Sequence, residues 1–158
     1  MLARPLALFA SLFVAATAAG AFVAATAAGA EFRSTTETAV LYDAPSVRAK
    51  GLFVLGRDVP VEVIVAVEGW YKIRDATGTV AWMEKKSAAD RRTVVVRANV
   101  ADILANPDAS AAVVFKAEQN VLLELADPSY ATATPGWAKV RHRDGQTGYV
   151  RISQVWGL

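Results

Sequence analysis

The sequence predicts an all-β protein in which one small module is used twice behind an N-terminal export signal. A pattern of aromatic, glycine and charged residues occurs twice with a period of about 65 residues. Each copy shows the apolar–polar alternation of short strands, and an uncharged apolar segment precedes the first copy. The predicted division is a signal peptide at 1–30, a first module at 31–89 and a second module at 90–158.

The first thirty residues have the layout of a secretory signal peptide. Arg4 supplies the positive start, and residues 6–14 form a compact apolar core. Small residues follow and end in Ala28-Gly29-Ala30, an A-x-A-like cleavage site. We therefore expect a periplasmic or secreted protein.

A local duplication leaves the cleavage point open. Residues 13–21 are repeated letter for letter in residues 22–30, which creates a second candidate site after Ala21. Residues 5–30 carry no charge and are long enough to span a bilayer, so an uncleaved anchor is the alternative. The Ala, Thr and Gly content of the second half favours cleavage after Ala30, and membrane contact is expected only if the segment is retained.

Composition excludes several functional classes. The chain has 158 residues, a net charge of +2 and no cysteine. A nearly balanced charge provides no basic face for nucleic acid. The absence of cysteine excludes disulfides, thiolate metal sites and cysteine nucleophiles. Residues 31–90 include eight basic and nine acidic residues, whereas residues 91–158 include eight basic and six acidic residues.

Two tryptophan-containing hairpins define the repeat. Trp82 follows Trp70 by twelve positions in the first copy, and Tyr149 follows Trp137 by twelve positions in the second. A Gly-Trp pair opens each hairpin, and a glycine-containing turn joins its strands. Upstream, the repeat pairs residues 54–61 with residues 114–121.

Alternation and turn residues predict the individual strands, with Asp75 and Asp144 as turn residues. No amphipathic helix is expected after the signal peptide. The second copy carries an extra loop at 127–135, rich in Ser, Thr and Pro. The predicted strands are 59–67, 70–74 and 79–83 in the first copy, and 93–98, 112–115, 121–125, 137–141 and 146–151 in the second.

These residues resemble the bacterial SH3-like domains, a family of small β-barrels found in envelope and secreted proteins. The resemblance rests on Ala44-Pro45, on the Gly-Trp-Tyr-Lys-Ile run at 69–73 and on the strand at 78–83. The Trp156-Gly157 ending is similar to that of one tandem subfamily of exported proteins. The resemblance covers residues 32–158 and implies two SH3-like barrels in tandem with a binding role.

The residue pattern does not indicate an enzyme. The single histidine, His142, lies beside a hairpin tip, where a solvated strand-edge residue is the favoured interpretation. No phosphate-binding glycine loop, Ser-His-Asp set or close carboxylate pair is present in the sequence. We therefore expect no catalytic residue, no metal ligand and no cofactor.

Large aromatic side chains are the better candidates for ligand contact, because they can form shallow platforms for peptide or sugar. The alternative is that they fill the limited cores of small barrels, with Trp156 packing back to close one of them. Basic residues beside the hairpins either form a solvated face or meet an anionic cell-wall polymer. The candidate ligand-binding residues are Tyr42, Trp70, Trp82, Trp137, Tyr149, Trp156 and Arg143.

The resemblance favours a non-catalytic envelope protein that recognises peptidoglycan or its stem peptides. The alternative is a periplasmic protein–protein adaptor or scaffold, which would use the 127–135 loop or a barrel edge as its contact. The partner is then peptidoglycan, a peptide or an envelope protein. The longer loop and the positive charge single out the second copy as the one to probe first.

Overall fold

The computed structural model describes residues 30–158, without the side chains of Ala131 and Thr132. The predicted signal peptide therefore lies outside the described residues except for Ala30. Within the described range, no helix has the length and apolar character needed to cross a membrane.

Each module forms one seven-stranded sheet. The first contains β1 (Glu31–Thr35), β2 (Ala39–Tyr42), β3 (Gly51–Leu55), β4 (Pro60–Val67), β5 (Trp70–Arg74), β6 (Val80–Glu84) and β7 (Ala88–Ala89), with a 3-10 turn at Lys85–Ser87. The second contains β8 (Thr93–Val96), β9 (Val100–Leu104), β10 (Val113–Glu118), β11 (Leu122–Leu125), β12 (Trp137–Arg141), β13 (Thr147–Arg151) and β14 (Val155–Trp156), with a helix α1 (Tyr130–Ala133) and a 3-10 turn at Ile152–Gln154.

The two sheets share one topology. The strand order is β3-β2-β6-β5-β4-β1-β7 in the first and β10-β9-β13-β12-β11-β8-β14 in the second, so every strand has a counterpart in the same place. All strand pairs are antiparallel, as in the hairpins and meanders of small barrels. This confirms the predicted all-β architecture of one module used twice.

Strand alternation separates a core side from an outer side in each sheet. In the first module, Leu41, Ile73 and Met83 are fully buried, whereas their neighbours Tyr42 and Lys72 are half-buried on the other side. The second core is larger, and its buried members include Val94, Ile103, Leu123, Val140 and Val150. The first core has fewer buried members and is built around Leu41, Val61, Ile73 and Met83.

Several elements differ from expectation, since β1, β2, β3, β7, β9 and β14 lie outside the predicted strand ranges. Strand β9 (Val100–Leu104) was not predicted, because Asp102 and the small Ala101 give its sequence a low strand preference. Ala101 and Ile103 nevertheless point into the core and hold the strand in place. The long loop contains the single-turn helix α1, which follows an Asp127 carboxylate that accepts hydrogen bonds from the backbone and hydroxyl of Ser129.

The structure also corrects the alignment of the two copies upstream of the hairpins. Phe53 pairs with Leu41, and Phe115 pairs with Ile103, each beside a register shift in the same strand pair. Phe53 is therefore the counterpart of Phe115. The sequence alignment had instead paired Phe115 with Leu55, two residues further along the strand. The error arose because every residue of 52–55 is apolar, so the local pattern does not fix its register.

A small junction joins the two modules. The rings of Phe32 and Trp156 meet edge to face with centroids 5.1 Å apart. A buried hydrogen-bonded chain lies in the same junction: Thr93 N–H donates to Ser34 Oγ (3.0 Å), and Thr93 Oγ1 donates to the carbonyl of Asp58 (2.7 Å). Since the bond to Asp58 uses the hydroxyl proton of Thr93, the Ser34 hydroxyl donates to Thr93 Oγ1 across 2.6 Å.

Candidate functional site

The outer side of the first sheet presents aromatic side chains that three neighbouring strands bring together. Tyr42 on β2 lies opposite Trp82 on β6, and Trp82 lies opposite Lys72 on β5. Trp70 precedes Lys72 by two residues on β5, so both side chains lie on the same side of the sheet. We call Tyr42, Trp70, Lys72 and Trp82 the outer aromatic face.

Contacts within the outer aromatic face hold its rings in place. Tyr42 and Trp70 meet edge to face, with centroids 5.5 Å apart and planes at 86°. Lys72 Nζ lies 5.9 Å from the Trp82 ring centroid, within reach of a cation–π interaction. All four side chains are half-buried, so each keeps part of its surface towards solvent. The result is a fixed aromatic surface with one positive charge.

The second barrel repeats this arrangement in reduced form. Leu104, Trp137, Lys139 and Tyr149 occupy the matching positions, with Tyr149 opposite both Leu104 and Lys139. Lys139 Nζ lies 5.9 Å from the Tyr149 ring centroid. The cation–aromatic pair therefore recurs at the same place in both copies, whereas the buried Leu104 replaces the half-buried aromatic ring of Tyr42.

The ring of Trp137 is covered by neighbouring side chains and has little solvent exposure. Its side chain is 8% exposed, because the guanidinium carbon of Arg151 lies 4.6 Å from its ring centroid. With Asp102 and Val113 it lines a small pocket of about 210 Å³. The first barrel thus keeps the larger accessible aromatic surface, although the sequence had drawn attention to the second.

Two further candidates lie elsewhere. Trp156 on β14 pairs with Val95 and contacts Phe32, so it lies at the junction and belongs to neither outer face. Arg143 lies at the exposed tip of the β12–β13 hairpin, on a cleft between the barrels. The seven candidate residues are therefore divided among two outer faces, the junction and the cleft. Lys72 and Lys139 were not among the predicted candidates. The signal in the sequence that could have identified them is their recurrence at the same position of both hairpins.

His142 is held by neighbours and is not freely solvated. Its Nδ1 lies 3.0 Å from Asp144 Oδ1, and its ring centroid lies 5.7 Å from that of Phe115. Asp144 also accepts a hydrogen bond from the Gln146 backbone N–H at 3.0 Å, which confirms its predicted turn role. Asp75 confirms the same role in the first hairpin, where Oδ1 accepts from the backbone of Thr77 at 2.8 Å.

These contacts give the Asp144 carboxyl an unusual titration. Hydrogen bonds from the Gln146 backbone, the Gln146 side chain and His142 lower its pKa from 3.8 to about 2. A lowered pKa in the folded state means that this interaction stabilises the hairpin above about pH 4, and that its contribution is lost as the pH falls towards 2. An NMR titration should show the Asp144 carboxyl midpoint near pH 2.

Replacing both donor side chains, Gln146→Ala with His142→Ala, should raise that midpoint part of the way, because the backbone donor at position 146 remains. A midpoint for Asp144 at the ordinary value of 3.8 in the unaltered chain would contradict the hydrogen-bonded geometry.

The described residues contain no group of three or more His, Cys, Asp and Glu side chains placed to hold a metal ion. The outer side of each sheet presents aromatic surface for stacking, with a lysine side chain beside it. That chemistry suits the apolar faces of sugar rings and the carboxylates of peptides.

Comparison with known proteins agrees with this description. The family model of the bacterial SH3 domain matches residues 35–87 and again residues 97–157, one match in each sheet, which confirms the resemblance drawn from the repeat. The chain is similar to the solved structures of NlpC2 and NlpC1 from Trichomonas vaginalis, each at 18% identity and a TM-score of 0.35. These alignments cover 79% and 83% of the chain but 46% and 48% of the two proteins, so the chain spans about half their length. No curated protein matches the sequence.

Proposed function

The chain belongs to the bacterial SH3 domain family, and from this premise we propose that it is a non-catalytic binding protein of the cell envelope that recognises peptidoglycan or its stem peptides. The observation that carries the proposal is the outer aromatic face of the first barrel, with its reduced copy on the second. The export signal predicted from residues 1–30 supports a periplasmic or secreted location.

The two outer faces match the chemistry of this polymer. Peptidoglycan presents sugar rings with apolar faces and short peptides that carry carboxylates. Half-exposed aromatic rings pack against such apolar faces at little cost in side-chain entropy, because neighbouring rings already fix them. Lys72 and Lys139 place a positive charge beside that surface in both barrels. Two weak sites on one chain then gain strength when both engage the same polymer.

Retention of the purified protein on isolated sacculi at low salt is the direct test. We expect the unaltered chain to be retained. Trp82→Ala removes the centre of the outer aromatic face and should weaken retention about tenfold, the equivalent of about 1.4 kcal/mol. The measurement is a sedimentation binding curve with increasing amounts of sacculi.

Phe53→Ala is the matched control. Phe53 is 53% exposed, and because it pairs with Leu41 it lies on the side of the sheet opposite the outer aromatic face. Its binding curve should overlay that of the unaltered chain. No retention of the unaltered chain would remove the proposal. Full retention by Trp82→Ala would remove the outer aromatic face as the site.

The first sheet also has a feature that favours the alternative, an adaptor that binds another envelope protein. Strand β3 is at the edge of the sheet, and its consecutive residues Leu52, Phe53 and Val54 are 37%, 53% and 63% exposed. An apolar edge strand is a ready template for a strand from a partner. Cross-linking in cells that captures one protein through Phe53, together with no retention on sacculi, would decide for the adaptor.

A further inference from the structure

A cleft of about 580 Å³ separates the two barrels on the side where the second hairpin tip faces the first barrel. Arg57 and Asp58 line it from the first barrel, Arg91 from the connecting segment, and Arg141 and Arg143 from the second barrel. We infer that this inter-barrel cleft binds a short acidic peptide through its carboxylates. The inference concerns a different surface from the outer aromatic face and does not depend on sacculus binding.

The cleft carries more positive charge than its own acidic groups neutralise. One carboxylate, Asp58, serves two guanidinium groups: it contacts Arg91, and Arg57 Nε lies 3.6 Å from its Oδ1. Arg141 faces Glu124 at 3.9 Å, a loose and partly exposed pair. Arg143 has no ion pair or hydrogen-bond partner among the described residues. Four guanidinium groups thus face two carboxylates across a confined space, which favours entry of an anion.

The barrel fold does not require this charge. The pair Arg141–Glu124 has a counterpart in the first barrel, Arg74–Glu62 at 3.3 Å, so that pair belongs to the fold. The tip residues differ, because the positions of His142 and Arg143 are occupied in the first hairpin by Asp75 and Ala76.

The first tip is used for contact between the barrels. The carbonyl of Ala76 accepts a hydrogen bond from the guanidinium of Arg97 on the second barrel. The equivalent tip of the second barrel makes no such contact through Arg143 and instead extends a cation over the cleft. The positive tip is therefore a feature of the second copy alone, placed where the two barrels meet.

The remaining walls favour a peptide over a bare anion. Val121 and Leu122 are half-buried on the cleft, and beside them Asn120 lies in a left-handed conformation with φ of 68°. An apolar floor beneath a guanidinium rim suits aliphatic side chains alternating with carboxylates. Guanidinium groups bind carboxylates through two parallel hydrogen bonds, which gives geometric selectivity as well as charge.

Calorimetric titration of the whole chain with a synthetic hexapeptide of alternating Glu and Ala tests the inference. We expect binding that weakens as salt rises from about 0.05 to 0.5 M, because screening shortens the reach of the charges. Arg143→Ala should weaken binding about tenfold, and Arg143→Lys should recover it in part, since lysine keeps the charge and loses the planar fork. Arg48→Ala removes an exposed arginine outside the cleft and should have no effect.

Four outcomes would overturn the inference: no binding by the unaltered chain, equal binding by Arg143→Ala, equal binding of the same peptide with Gln in place of Glu, or displacement of the peptide by inorganic phosphate at equal concentration. The last would leave an anion site without peptide selectivity. Sacculus retention separates this result from the proposed function. Trp82→Ala, which should weaken retention on sacculi, should keep its affinity for the peptide, because Trp82 does not line the cleft.

Discussion

Replacing Gly148 with valine is expected to lower the free energy of unfolding of the second barrel by about 3 kcal/mol. A Cβ at this position would lie 2.7 Å from Ile103 Cγ2 and 2.8 Å from the carbonyl oxygen of Leu104. The second of these neighbours is backbone, so a rotamer change cannot relieve the overlap. Strands β9 and β13 would have to separate, and both contribute to the larger core.

Urea unfolding followed by the NMR signal of the Trp137 indole N–H measures this effect, because that signal is distinct from those of the other three tryptophans and its ring is packed in the second barrel. Gly56→Val is the matched control: nothing lies within 4 Å of a Cβ there, so the free energy of unfolding should change by about 0.5 kcal/mol at most. An unchanged urea midpoint for Gly148→Val would show that the two strands are not packed this closely.

The comparison between the copies explains why the steric constraint at Gly148 applies to the second barrel and not to the first. Ala81 is the first-barrel counterpart of Gly148, and its side chain is 3% exposed, so the first barrel accommodates a methyl group at that point. The first-barrel counterpart of Ile103 is Leu41, whose β-carbon is unbranched, whereas Ile103 places a branch methyl against β13. The glycine and the branched side chain are therefore matched within the second barrel.

Features set by neighbouring residues were predictable from the sequence. The bounds of β5 and β12 match the predicted 70–74 and 137–141, because a Gly-Trp start, alternation and a glycine-containing turn all act within a few residues. The aspartate turns were predictable for the same reason. Strand β9 was missed because its acidic and small residues become strand-like only through burial of Ile103 against other strands.

The candidate site was predictable only in part. The sequence identified Trp70 and Trp82 as aromatic candidates, yet the exposure of each ring depends on what packs over it from distant strands. Arg151 covers Trp137, and Phe32 meets Trp156 from the other barrel. No local pattern encodes those contacts. The cleft was still less predictable, because its four arginines come from three separate segments that approach one another only when both barrels are in place.

Removing the Phe32 ring is expected to make the two barrels unfold in two separate transitions. Phe32 is 8% exposed, contacts Trp156 edge to face at 5.1 Å between centroids, and lies 5.4 Å from the guanidinium carbon of Arg92. Replacing a buried phenylalanine with alanine costs about 3 kcal/mol or more. We expect calorimetry to show one transition for the unaltered chain, and two for Phe32→Ala with the first barrel melting about 15 °C lower.

Gly157 explains why so small a junction can couple the barrels. Its backbone has φ of 115°, and a Cβ there would lie 2.8 Å from the carbonyl oxygen of Thr93 and 3.0 Å from Pro60 Cβ. The chain end can therefore lie directly between β8 and the first barrel, where its carbonyl accepts a hydrogen bond from Arg92 at 2.9 Å. Shape and hydrogen bonds at the junction thus support the same docked arrangement as the Phe32–Trp156 contact.

Two variants distinguish coupling from simple loss of a phenylalanine. Phe53→Ala removes a ring that is 53% exposed in the same barrel, and the chain should still unfold in one transition. Ser34→Ala leaves the Thr93 N–H without its 3.0 Å acceptor inside the buried junction, which costs about 1–3 kcal/mol, and it should weaken the coupling without touching the aromatic pair. A single transition for Phe32→Ala at the temperature of the unaltered chain would mean that the barrels are coupled by something other than this junction. Since the inter-barrel cleft exists only while the barrels stay docked, Phe32→Ala should also weaken the acidic peptide's binding at temperatures where the first barrel has melted.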